Sequence, residues 1–204
     1  MKFLLDTSAE KVSAKHYRYE IVGGQLLTPL TRYKSWRGTF AMDNGAFSGF
    51  KAREFRALLA RESHRKRDCL FVAIPDVVGD ARRTLEIWQH RHKWAVGWPL
   101  ALVAQDGQEN LAIPWDEIDA LFLGGRDPWK DSPAAQNLVR TAKILGKHVH
   151  IGRVNTGRRF ALFSNLGADT CDGSGASKYD HVLDDIVEHM STNPHPELQF
   201  NENQ

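Results

Sequence analysis

The chain has 204 residues, 42% of them hydrophobic and 25% charged, a balance that supports one globular domain with a sizeable core and speaks against a second full one. A formal net charge of +2 does not by itself imply a polyanionic partner, and two cysteines, Cys69 and Cys171, exclude a disulfide framework and cannot alone complete a four-ligand zinc site. No apolar run approaches the roughly 20 residues that span a bilayer, and the opening Met1-Lys2-Phe3-Leu4-Leu5 meets Asp6 before a signal-peptide core forms, so a cytoplasmic protein without a membrane partner is expected.

In chain order, the first strand is either Lys2 to Leu5 or Glu20 to Val22, and the pattern does not choose between them. A strand ends at Asp43, and a helix carrying Phe55, Leu58, Leu59 and Glu62 follows a possible cap at Ser48. Short apolar runs at Leu70–Ile74, Leu100–Ala104, Ala120–Leu123 and His148–Ile151 read as buried strands. Between them lie a helix with Leu85, Trp88 and His92 after Asp80, and another with Ala135, Leu138, Val139, Ala142 and Leu145, closed by Gly146. A weaker helix covers Arg158 to Leu166 and stops at Gly167; a last one carries Val182, Leu183, Ile186, Val187 and Met190. Residues 1–190 thus form one domain, and the tail over 191–204 reads as poorly ordered.

Strand alternating with helix calls for a parallel sheet covered on its faces, which a barrel or an open doubly wound sheet would both satisfy. No Gly-x-Gly-x-x-Gly follows the first strand, so the expected fold is an α/β TIM-type barrel, compact and either closed or slightly incomplete. In such a barrel the residues just past the strand ends share one mouth. Here these are Asp43, Asp76, Gln105, Gly124, Arg153 and Asp172. Guanine offers N1–H and a 2-amino group as donors and O6 as an acceptor; Asp76, Gln105 and the Gly124-Gly125 backbone match that edge, and Phe47 is able to stack on a flat base. Asp43 and Asp172 remain for covalent chemistry at an anomeric carbon.

Five segments carry a resemblance. Asp43-Asn44-Gly45-Ala46-Phe47 is similar to the Asp-Ser-Gly-Gly-Phe segment of the tRNA-guanine transglycosylase superfamily, and Val103-Ala104-Gln105-Asp106-Gly107 to its Val-Gln-Gly-Gly. Leu123-Gly124-Gly125 resembles its Gly-Gly-Leu, Asp76 falls where it carries a base-recognising aspartate, and Asp172 follows a late strand as its nucleophile does. The likeness runs from about Met42 to Gly175. It implies Asp172 as nucleophile and Asp43 as the base that deprotonates an incoming 7-deazaguanine such as preQ0, with Asp76, Gln105 and Gly125 on the base edge; exchanged roles for Asp43 and Asp172 stay open. No metal or redox cofactor is implied. The superfamily's three-cysteine, one-histidine zinc pattern is missing, so the chain looks most like the compact phage-type DNA-guanine transglycosylases (DpdA-like), with DNA favoured over tRNA as partner.

Plainer readings stand beside these. Asp43-Asn44-Gly45 also suits an ordinary turn, Asp80 a helix cap, and Gly124-Gly125 a tight turn. His148 and His150 share a strand face and fit a hydrogen-bonded core role better than a metal pair. Arg153, Arg158 and Arg159 are candidates to grip phosphates around an extruded nucleotide. Trp36, Trp115 and Trp129 fit buried packing better than base stacking at the mouth. A base-excising glycosidase, a non-catalytic nucleic-acid-binding barrel and a sugar-phosphate enzyme are the rival functions, and monomer and homodimer are both open.

Overall fold

A computed structural model describes residues 1–192. Eight parallel strands close into a barrel: β1 (Lys2–Leu5), β2 (Val22–Leu27), β3 (Phe40–Met42), β4 (Cys69–Ala73), β5 (Leu100–Ala104), β6 (Ala120–Leu123), β7 (His148–Ile151) and β8 (Thr170–Cys171). Closure comes from β8 pairing with β1, Thr170 opposite Lys2 and Cys171 opposite Phe3. The barrel is therefore complete, and neither the open sheet nor the incomplete barrel applies. Both alternatives for the first strand contain one, at β1 and at β2, although Glu20 itself lies in the preceding turn.

The helices are α1 (Ala9–Arg18), α2 (Ala52–Arg61), α3 (Ala81–Arg91), α4 (Asp127–Lys130), α5 (Pro133–Ile144), α6 (Gly157–Asn165), α7 (Ser174–Lys178) and α8 (Asp180–Thr192). Asp80 caps α3 by accepting from the Arg83 N–H at 3.0 Å, as its position predicts. Ser48 does not cap α2. It ends a short 3-10 turn between Gly45 (φ 75°) and Gly49 (φ 95°), whose left-handed backbones redirect the chain, and α2 starts only after Lys51. At the other end of the chain, Ser191 and Thr192 belong to α8; the rest of the expected tail lies outside the described residues. No helix among the described residues is long and apolar enough to cross a membrane.

Side-chain alternation along each strand divides two layers. Leu4, Leu26, Ala41, Phe71, Val103 and Phe122 pack together inside the barrel. Phe3, Leu5, Leu121, Leu123, Val149 and Ile151 face outward onto a separate core with residues of α1, α5, α6 and α8. The connections after β2 and β5 carry no α-helix. Trp36 and Trp115 pack against the outer core from those two connections, while Trp129 of α4 joins it and donates its indole N–H to Glu109. The three tryptophans are thus packing residues.

Candidate active site

The inward alternation continues one step past the strands. Asp6, Thr28, Asp43, Gln105, Gly124, Gly152 and Asp172 each stand two residues beyond an inward-facing position, and all seven line a single cavity of about 370 Å³. Asp76 enters the same cavity from the longer β4 exit, and Leu26, Val78, Val103 and Phe122 supply apolar walls. This size falls in the range of small-molecule sites. Carboxylates at positions 6, 43, 76 and 172 thus meet from four strands.

Each is held differently. Asp76 accepts from Asn44 Nδ2 at 2.8 Å and from Gln105 Nε2 at 2.6 Å. Burial pushes its carboxyl up to about 6 despite those two donors. Asp43 receives the Gly45 N–H at 2.6 Å, an approach that the positive φ of Gly45 permits. Burial first, then the negative charges of Asp172, Asp76 and Asp6, push Asp43 up to about 7. Asp6 at the rim is also raised, chiefly by desolvation, with Thr31 opposing. Asp172 has a donor for each oxygen, the Arg153 N–H at 3.0 Å on Oδ1 and His150 Nε2 at 3.1 Å on Oδ2.

The Arg153 N–H reaches Asp172 because Arg153 adopts φ 61°, the sole left-handed non-glycine backbone among the described residues. Such a conformation costs on the order of 1 kcal/mol or more and persists only where its surroundings enforce it. Lys130 holds the preceding residue: its ammonium, fully buried, donates to the carbonyl of Gly152, with Asp127 Oδ1 at 3.4 Å. Burial and the nearby Arg153 push the Lys130 ammonium down to about 8. The Arg153 guanidinium turns across the mouth, donates to the carbonyls of Gly124 and Gly125, and covers the ring of Phe47 at 5.0 Å.

Several expected roles change with this geometry. The N–H groups of Gly124 and Gly125 both point at the Ala104 carbonyl, at 3.0 and 3.3 Å, so neither offers a free donor to a base edge or a phosphate. A side chain at Gly125 would collide with the Trp129 ring, which explains the residue without any ligand. Gln105 is 2% exposed and spends its carbonyl on the Gly79 N–H at 2.8 Å; it orients Asp76 and keeps one amide hydrogen in reserve. Phe47 is 71% exposed at the rim, as a stacking side chain requires. Arg158 and Arg159 do not line the cavity, and Arg159 is paired with Asp131 at 2.7 Å and with Asp127 at 3.3 Å. Cys171 faces the outer core, and burial raises its thiol well above the usual range. Among the described residues, no three His, Cys, Asp or Glu side chains are grouped to hold a metal ion.

Sequence reasoning misses Asp6, Asn44, Lys130 and the rim residue Lys178. Asp6 carries a usable signal, standing two residues past Leu4, which only an assignment of β1 exposes. No protein-family model matches the sequence, and no curated protein does either.

Proposed function

We propose that the chain is a glycosyltransferase of the guanine-exchanging type, replacing a guanine in nucleic acid by a 7-deazaguanine such as preQ0. The observation that carries this reading is the meeting of Asp43, Asp76 and Asp172, separated by 33 and 96 residues in sequence, around one cavity with apolar walls. DNA is the polymer favoured in this reading, with tRNA as the alternative.

In this reading an extruded guanine lies between the apolar walls, and the Asp76 carboxylate accepts its N1–H and 2-amino hydrogens. The free hydrogen of the Gln105 amide is suited to O6. Asp172 attacks C1′, its oxygen forming the new C–O bond while the C1′–N9 pair leaves with guanine, which takes a proton from the Asp43 carboxyl. The incoming 7-deazaguanine then gives its N9 proton to Asp43, attacks C1′ and frees Asp172. A group near pKa 7 is suited to both transfers at neutral pH. Two displacements retain the anomeric configuration.

Incubation with DNA or RNA and labelled preQ0 tests the proposal. Label entering one of the polymers, and lost in Asp172→Ala, is the expected result. Release of free guanine without incorporation would instead indicate a base-excising glycosidase, and salt-sensitive binding without turnover a binding module.

A further inference from the structure

Below the cavity, a hydrogen-bonded chain runs down the interior of the barrel. His150 is fully buried between the rings of Phe71 and Phe122, with centroids 4.9 and 4.5 Å away. Its Nε2 meets Asp172 Oδ2 at 3.1 Å, and its Nδ1 meets Thr170 Oγ1 at 2.9 Å. The same hydroxyl lies 2.8 Å from Nε2 of His148, one inward position further down β7.

The directions of these bonds follow from one another. A carboxylate only accepts, so His150 carries its hydrogen on Nε2. In a neutral ring Nδ1 is then bare and takes the Thr170 hydroxyl hydrogen. With its single hydrogen committed, Thr170 accepts from His148 Nε2, which leaves His148 Nδ1 bare. That nitrogen stands 4.0 Å from Asp169 Oδ2, beyond hydrogen-bonding distance, as an acceptor facing an acceptor should. Burial, the larger effect, pushes His148 down to about 4, consistent with a neutral ring.

We propose that His150 is a positioning residue for Asp172, locked by Thr170 and His148 in the tautomer that donates to Oδ2. This rests on the assignment of Asp172 as nucleophile. With Arg153 N–H on Oδ1 and His150 on Oδ2, the carboxylate plane is fixed from both sides, and whichever oxygen becomes the ester oxygen, the remaining carbonyl keeps a donor. The substrate approaches from the mouth and the lock lies beneath, so the two do not compete.

Two measurements test the lock. In the exchange assay, His150→Phe should lower kcat by about one to two orders of magnitude, the scale of a small misplacement of reacting atoms, and leave KM for the base unchanged. His150→Gln, whose amide nitrogen can donate to Asp172, should recover most of the loss, and Thr170→Val should fall between. A kcat within about twofold of the parent in His150→Phe, or no recovery in His150→Gln, overturns the proposal. Nitrogen-15 NMR of the histidine rings reads the lock without turnover: both His148 and His150 should carry hydrogen on Nε2, and Asp172→Ala should release the His150 tautomer. A hydrogen on His150 Nδ1, or spectra unchanged by Asp172→Ala, contradicts it. If the parent chain exchanges no base, the functional reading fails, and the NMR result alone still decides whether His150 positions Asp172.

Discussion

The two sides of the barrel mouth hold carboxylates by opposite means. Between β3 and β5, Asp76 rests on two neutral side-chain amides and Asp43 on one backbone N–H, and burial lifts them to about 6 and 7. Between β7 and β8, Asp172 has an imidazole and a strained backbone N–H, with a buried ammonium behind the strain. In the proposed reaction the first side exchanges protons and accepts hydrogens from the base. The second is built to keep one carboxylate still. A shared cavity is therefore not a set of equivalent acids, and the supporting residues divide the labour.

The sharpest break comes from Asp172→Ala, which removes the atom held on the second side. Base exchange should fall at least about a thousandfold, while binding of free 7-deazaguanine by calorimetry stays close to the parent value. Asp43→Asn acts on the other side: a loss of about 10²- to 10⁴-fold in kcat, with disappearance of a rate maximum near pH 7. Its effect on stability has the opposite sign. The raised Asp43 carboxyl favours the folded state fully below pH about 4, and that contribution is lost as pH rises through its folded value near 7. Asn lacks this loss, so Asp43→Asn should melt on the order of 5 °C above the parent at pH 8 and show no such gain at pH 4, by calorimetric scanning.

Asp76→Asn should weaken binding of the free base by about tenfold to a hundredfold, since the amide presents a donor where two acceptors are needed. In the parent chain the same affinity should fall as pH drops below about 6, where Asp76 takes up its proton. The smallest effect is expected for Lys130→Met. Relieved of burying an ammonium, it should fold at least as stably at pH 7 but lose about tenfold in kcat, because Arg153 is then free to leave its strained backbone and Asp172 loses one donor.

Much of this architecture is legible in the amino-acid sequence. Apolar runs ending before Asp43, Gln105 and Gly124 announce strands and their exits, because a parallel barrel buries both faces of each strand, whereas the two-residue β8 before Asp172 has no such run. The spacing of His148 and His150 likewise places them on one face. β2 is obscure because Val22-Gly23-Gly24-Gln25 has the composition of a turn, and the sequence pattern does not choose β1, whose register marks Asp6. Competition for hydrogen bonds is invisible: nothing in Gly124-Gly125 says that the Ala104 carbonyl claims both N–H groups, nor does Arg153 announce that its guanidinium serves carbonyls in place of a phosphate. Such choices depend on distances across strands, which composition does not encode.

The division between the two sides is tested most directly by trapping the intermediate. Parent protein mixed with guanine-containing DNA, without any incoming base, is denatured rapidly, digested and mapped by mass spectrometry. A sugar-linked nucleotide on the peptide containing Asp172 is the predicted result. The same adduct on the peptide containing Asp43, or guanine release with no adduct anywhere, would contradict it.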